Sequence, residues 1–401
     1  MADRFMARQP IFDSRLKVFG YELLFRAGPE NSFRPGQSPA DEVIVNSMML
    51  HDVKQLVGNA LAFINVDAAA LLREAPRLMA PGKVVVEILE TVRLTDEVVD
   101  SCRALAKDHY ALALDDFLDE PKWQALIPCV RFLKVDFRLA DHEKRRAIAQ
   151  RYAKTGIQLV AEKVETEHEL QDARNLGYRY FQGYFFCKPS MVRSCDIPSN
   201  RVTCLRLLES CSASELDYKI IESLFSQEPS LTYRLLRYLN SPMLPMRFEV
   251  HSVRHAVSLL GEQEFRRWVA IVALVIMGGN KPVELIRTAL TRAYFCEELA
   301  RPLGLSNHAS ELFLMGLLST LDAMLDRPMP QVLAELSVSA EIREALSGTS
   351  GAFGEVLETL LAYEKANWTR LSELAKKAGY PEENVPACFV SATEHANEIA
   401  H

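Results

Sequence analysis

Residues 83–90 read Lys-Val-Val-Val-Glu-Ile-Leu-Glu, and residues 157–162 read Ile-Gln-Leu-Val-Ala-Glu. Each is a short apolar run that closes on a carboxylate. The apolar residues are continuous rather than alternating, as expected of strands covered on both faces of a parallel sheet. Comparable runs at Lys17–Phe25, Leu61–Val66, Tyr110–Asp115, Arg131–Val135 and Tyr178–Tyr184 bring the strands to seven, and Arg4–Phe12 offers an eighth. With helical stretches between them, these predict an α/β fold, a TIM-like (β/α)8 barrel; a doubly wound sheet shares the periodicity. No GxGxxG or GxxxxGKS/T run is present, so the usual phosphate-cradling loops are missing.

After Lys188–Asn200 the strand signals stop. Stretches such as Glu264–Met277, Val283–Ala300 and Glu311–Leu325 carry apolar residues at helical spacing, with turn residues (Gly261, Pro282, Gly304, Pro328) between them. The expected organisation is a barrel domain over 1–195 and an all-helical domain over 196–401, in keeping with a length of 401 residues.

Composition narrows the function. The longest apolar run, Val269–Met277, is flanked by Arg266, Arg267 and Lys281 and falls well short of the roughly 20 residues that span a bilayer. The first ten residues hold no apolar signal core. A cytoplasmic protein with no membrane partner is expected. Its eight cysteines form no CxxC pair and read as reduced, mostly buried thiols. Residues 1–200 carry 27 basic and 28 acidic side chains, and the remainder 19 and 25. Neither half has the basic excess of a sequence-independent DNA binder, which argues against nucleic acid as a partner.

Where the acidic residues fall is more informative than how many there are. Glu22 interrupts the second run; Asn65 sits in Phe-Ile-Asn-Val-Asp; Glu87 and Glu90 punctuate the fourth. Asp115-Asp116 end Ala-Leu-Ala-Leu, Lys134 and Asp136 lie in Phe-Leu-Lys-Val-Asp, Glu162 and Glu165 follow Gln-Leu-Val-Ala, and Gln182 precedes Gly183. One strand-end Asp is readily a helix cap. Six successive strands each delivering a carboxylate, amide or lysine converge instead on the C-terminal mouth of a barrel, where barrel chemistry sits. Carboxylates and an amide are hard oxygen donors that suit Mg2+ or Mn2+. Two such ions about 3.5–4 Å apart make a clamp for in-line attack on a phosphodiester. Asp115-Asp116 would supply the bridge, and Lys134 would orient water or neutralise developing charge.

The ordered motifs Glu-Leu-Leu-Phe-Arg (22–26), FINVD, VEILE, LDDF, LKVD, AEKVE and QGYFFCKP resemble the EAL family of cyclic-di-GMP phosphodiesterases over residues 4–190. The resemblance implies two Mg2+ or Mn2+ ions on Glu22, Asn65, Glu87, Asp115, Asp116 and Glu162. It implies Lys134 assisting the nucleophilic water and Glu162 as its base. Glu165 and Gln182 would support the site, Arg26 would meet a substrate phosphate, and Glu90 would support the loop after the Asp pair. That loop departs from the family: Phe117-Leu118-Asp119-Glu120-Pro121-Lys122-Trp123 stands where a glycine-rich DFG(T/A)GYSS pattern is usual. In the family this loop helps couple metal binding to dimerisation and activity. Lys163 replaces the glycine of AEGVE, and the stretch after Arg26 lacks the usual PxxFIxxAE pattern.

The second half resembles the HDOD domain, a relative of HD and HD-GYP phosphohydrolases, through EPSLTYRLLRYLNSPM, SVRHAVSLLG and FLMGLLSTLDAML. Active HD enzymes place a His-Asp metal pair where this chain has Ser319-Thr320, so hydrolysis is not expected there and an interaction domain is. His251 and His255, and the dipeptide His51-Asp52, read as ordinary helix residues rather than ligands. An EAL domain followed by HDOD is a recognised bacterial signalling architecture. Two readings stay open: a Mg2+- or Mn2+-dependent cyclic-di-GMP phosphodiesterase yielding linear pGpG, with the helical half regulating it, or an inactive cyclic-di-GMP receptor or interaction scaffold. The implied partners are cyclic-di-GMP, an unidentified protein on the HDOD surface, and a second copy in a homodimer.

Overall fold

The structure is a computed structural model that describes residues 5–26, 56–188, 199–212, 216–227, 253–279, 281–336 and 338–399. Eight strands close a barrel in chain order: β1 (Phe5–Phe12), β2 (Val18–Arg26), β3 (Leu61–Val66), β4 (Val84–Ile88), β5 (Ala111–Leu114), β6 (Phe132–Asp136), β7 (Gln158–Glu162) and β8 (Tyr180–Gln182). Strands β2 to β8 run parallel, as expected of βα units. β1 differs, lying antiparallel to both β2 and β8. The reason is the linker. Asp13–Lys17 is a tight turn in which Asp13 accepts from the Arg15 and Lys17 amides, and five residues cannot make the crossover that a parallel pair requires.

Period-two alternation sorts the barrel interior into layers. Ile11, Phe63, Val85, Ala113, Phe132 and Val160 form one buried apolar layer. Two residues further along five of these strands stand Asn65, Glu87, Asp115, Lys134 and Glu162. A floor of hydrocarbon therefore lies directly beneath a layer of ionisable groups. Gly20, two residues before Glu22, leaves room for this floor, since a Cβ there would come within 2.9 Å of the Phe63 ring.

Helices α1 (Ala68–Leu72), α2 (Asp96–Lys107), α3 (His142–Tyr152) and α4 (Glu167–Leu176) connect the strands. α4 begins at a capping box, in which the Thr166 side chain accepts from the Glu169 amide and Glu169 accepts from the Thr166 amide. Between β5 and β6 there are only 3-10 turns, Pro121–Ala125 and Ile127–Cys129. Here lies the loop that departs from the family, and it is packed down. Phe117 and Trp123 are buried, Phe117 meets Tyr152 edge to face, and Asp119 pairs with Arg151 at 2.7 Å and accepts from Tyr152 Oη at 2.7 Å.

The remaining α-helices among the described residues are α5 (Ser199–Ser212), α6 (Tyr218–Gln227), α7 (Val253–Leu260), α8 (Glu262–Met277), α9 (Val283–Leu299), α10 (Ala309–Leu318), α11 (Leu321–Leu325), α12 (Met329–Ala334), α13 (Ala340–Leu346), α14 (Ala352–Glu364), α15 (Trp368–Ala378) and α16 (Val385–Ile399). The chain forms two compact units. One contains the barrel up to Phe186 together with Leu361–Lys377 and Pro381–Glu394; the other contains Cys187–Leu360, Ala378–Tyr380 and the residues from His395. In the second unit, Leu207, Ile221, Phe225, Val257, Phe265 and Trp268 form a core. α9 and α10 meet at Gly316, where a Cβ would lie 2.4 Å from the Arg292 carbonyl oxygen. No helix among the described residues is long and apolar enough to cross a membrane.

Candidate active site

Lys134 is the centre of the polar layer. Its ammonium is fully buried and touches four carboxylates: Glu87, Glu162 at 2.7 Å, Glu22 at 3.1 Å and Asp115 at 3.3 Å. Burial disfavours the charged lysine, but the four anions outweigh it and hold the ammonium well above its ordinary pKa. The carboxylates answer differently. Burial first, then repulsion from Glu22, drives Glu87 well above the usual range despite Lys134. Burial does the same to Glu162, with Lys134 opposing and Asp115 and Glu22 adding. Burial also acts on Asp115, yet Lys134 and hydrogen bonds from neighbouring groups leave it below its ordinary value. Asp116 is pushed up to about 6 by burial and by Asp115, with Lys163 opposing. Four acids around one cation leave the layer short of positive charge.

Amides complete the frame. Asn65 Nδ2 donates to Glu22 Oε1 at 3.0 Å, and Gln182 Nε2 to Glu22 Oε2 at 2.6 Å. Gln182 also reaches Gln9 Oε1 at 3.1 Å. Their donors are used, but some acceptors are not: Asn65 Oδ1, Glu87 Oε2, Glu162 Oε2 and Gln182 Oε1 are buried without a hydrogen-bond partner. Oxygens of Glu22, Glu87 and Glu162 lie within 4.8 Å of one another, as do those of Glu90, Asp115 and Asp116. Buried unpaired oxygens beside an excess of carboxylate fit hard divalent cations. All six residues that the family resemblance marks as ligands belong to this layer or its rim. Glu90, expected only to support the loop, sits within ligand distance of the Asp pair.

Lys163 is turned onto Asp136, a carboxylate 1% exposed that also accepts from the Arg138 and Leu139 amides at 2.5 and 3.3 Å. Its ammonium is 3.9 Å from Asp116 Oδ1. Lys163 and Asp116 both have left-handed backbone, with φ of 53° and 42°, which explains why glycine is usual at the first position. Glu165 is positioned by Arg138 at 3.5 Å, while Glu169 accepts from the Glu165 amide at 2.8 Å. A cavity of about 560 Å³ opens over the layer, lined by Glu22, Asn65, Asp115, Asp116, Glu162 and Gln182 and walled by Gln9, Arg138, Lys163, Tyr184 and Lys365 among others. Sequence reasoning singled out neither Gln9 nor Lys365. Gln9 becomes visible once β1 is known to pair residue for residue with β2, which sets it opposite Glu22. The Arg26 side chain, His51, Asp52, His251 and the His255 side chain lie outside the described residues.

In the helical unit, Ser319 follows α10, and its hydroxyl donates to the Gly316 carbonyl at 2.7 Å and accepts from Arg292 Nη1 at 3.2 Å. A guanidinium thus stands against the position that the HD phosphohydrolases give to histidine.

The EAL domain family matches residues 50–189, and the HDOD domain family matches residues 197–363. A Vibrio cholerae protein named cyclic di-GMP phosphodiesterase CdgJ is 31% identical over 405 residues, covering 100% of this chain and 94% of its own. YuxH of Bacillus subtilis is 32% identical over 405 residues, covering 98% of each. This chain belongs to the family of two-domain EAL–HDOD proteins. Solved EAL structures resemble parts of this EAL–HDOD protein. Klebsiella pneumoniae BlrP1 with manganese and cyclic-di-GMP covers 45% of this chain and 55% of its own, at 21% identity and a TM-score of 0.39. Bacillus subtilis YkuI with cyclic-di-GMP and calcium covers 65% and 72%, at 17% identity and a TM-score of 0.38.

Proposed function

We propose that this EAL–HDOD protein binds cyclic-di-GMP over the carboxylate layer and, with Mg2+ or Mn2+, opens one phosphodiester to give linear pGpG. The observation that carries this reading is the set of buried, unpartnered oxygens of Asn65, Glu87 and Glu162 around an under-neutralised carboxylate cluster. Glu22, Asn65, Glu87, Asp115, Asp116 and Glu162 would hold two ions, which when bound supply Lewis-acid polarisation of a phosphate and neutralise charge developing on it. Lys134 is too strongly held as an ammonium to serve as a base. It fixes four carboxylates in one place and offsets their repulsion. Glu162 Oε2 is the unpartnered oxygen assigned to take the proton of the attacking water. Phosphorus gains the water oxygen as its bond to the ribose O3′ breaks, and the departing O3′ takes up a proton from solvent. The HDOD half serves as an interaction and regulatory module for a protein partner.

Full-length protein incubated with cyclic-di-GMP and Mn2+ tests this reading. Linear product from the wild type and none from Glu22→Ala supports it. Binding without turnover favours a receptor, a reading that the Lys163 ammonium beside Asp116 would then explain. Absence of binding overturns both.

A further inference from the structure

Lys365 belongs to Leu361–Lys377, a segment of the first unit that begins near the end of the HDOD match. Three observations place it at the mouth of the site. It lines the cavity above the carboxylate layer, and so does Ala366. Its ammonium stands 5.9 Å from the centroid of the Tyr184 ring, within the range of a cation–π contact. Tyr184 also donates its hydroxyl to the Glu364 carbonyl at 2.9 Å, so the short run Gln182-Gly183-Tyr184 ties the Glu22 frame to this segment. Ala366 has φ of 51°, a left-handed conformation that is unfavourable for a residue with a Cβ. Such strain persists only where its surroundings fix it.

The cations around this cavity are not equivalent. Arg138 is paired with Glu165 and Glu169. Lys163 is paired with Asp136 and lies near Asp116. Lys365, exposed at the rim, has no carboxylate within ion-pair distance among the described residues. It is the cation of the cavity wall that remains available to an anion from outside.

We propose that Lys365 is a substrate-binding residue that takes the second phosphate of a cyclic dinucleotide whose first phosphate lies over the carboxylate layer. The proposal rests on the function proposed above. It adds that the site is completed by a segment from the C-terminal part of the chain, so that the EAL-matched residues alone form an incomplete site. A ligand with one phosphate has no use for Lys365; a ligand with two does.

The test is calorimetric titration of full-length wild type, Lys365→Ala and Lys365→Arg with cyclic-di-GMP in Ca2+, alongside titration with Mn2+ alone. Loss of one charge-assisted contact to phosphate should weaken dinucleotide binding by about tenfold in Lys365→Ala. The salt dependence of binding should become shallower in that variant, arginine should largely restore affinity, and Mn2+ binding should be the same in all three. Equal dinucleotide affinity in wild type and Lys365→Ala would overturn the role of Lys365 and leave the function reading intact. A wild type that takes up Mn2+ but no dinucleotide would overturn both.

Discussion

The Lys163 ammonium donates to Asp136, the most buried carboxylate partner available to it, instead of projecting between Asp116 and Glu162. The replacement of the family's glycine therefore leaves the oxygens of Glu22, Glu87 and Glu162 grouped around Lys134. Its cost is a positive charge 3.9 Å from Asp116 and a left-handed lysine backbone.

Lys163→Gly should relieve that backbone and remove the like charge facing a bound cation. The side chain is 56% exposed, so screening limits the gain to on the order of 1 kcal/mol, or about fivefold tighter Mn2+ binding. Asp136 keeps its two amide donors, and thermal stability should change little. Titration with Mn2+ and a melting curve check both statements; unchanged or weaker metal affinity would show that Lys163 does not oppose the cation.

Lys134→Met removes the one cation enclosed by Glu22, Glu87, Asp115 and Glu162. Deleting one partner of a buried ionic cluster costs about 3–5 kcal/mol, so the urea midpoint of the metal-free variant at neutral pH should fall sharply. Mn2+ should recover part of the loss, because it replaces the missing positive charge.

Most of the site was legible because alternation along a strand is rigid. Once Phe63, Val85, Ala113, Phe132 and Val160 are taken as the barrel floor, Asn65, Glu87, Asp115, Lys134 and Glu162 must share the layer above it. What was not legible depends on contacts with no local signature. The antiparallel β1, which delivers Gln9, follows from a turn whose length the sequence shows but whose pairing it does not. The turn of Lys163 towards Asp136 depends on χ angles. Lys365 lies more than 180 residues from Tyr184, and neither residue carries a pattern that announces the other. The loop Phe117–Trp123 read as a loss of glycines; in three dimensions it is an aromatic anchor against Tyr152.

Gly183→Ala tests how closely the Gln182 strand end must approach its neighbour. A Cβ at Gly183 would lie 2.0 Å from the Val164 carbonyl oxygen, and its φ of 145° suits glycine alone. The backbone must move, at a cost of about 1–3 kcal/mol, and Gln182 should lose its hold on Glu22. Thermal melting and Mn2+ titration should both report the damage; a variant indistinguishable from wild type would contradict the packing described here.

On the proposed function, divalent ions bind the native site and not the unfolded chain, so they should raise the melting temperature. With free Mn2+ at 100 times its dissociation constant, the expected gain is about 2.7 kcal/mol for one site. EDTA should reverse it, and Glu87→Gln, which retains shape but lowers the charge, should reduce it.

On the proposed function, the ring of carboxylates around Lys134 holds two divalent cations. Counting bound Mn2+ per chain, by titration of the full-length protein followed by electron paramagnetic resonance, tests it most directly. Two ions per chain, with spin coupling between them and loss of both in Glu87→Ala, is the expected result. No specific Mn2+ uptake, or uptake unchanged in Glu87→Ala, would contradict it.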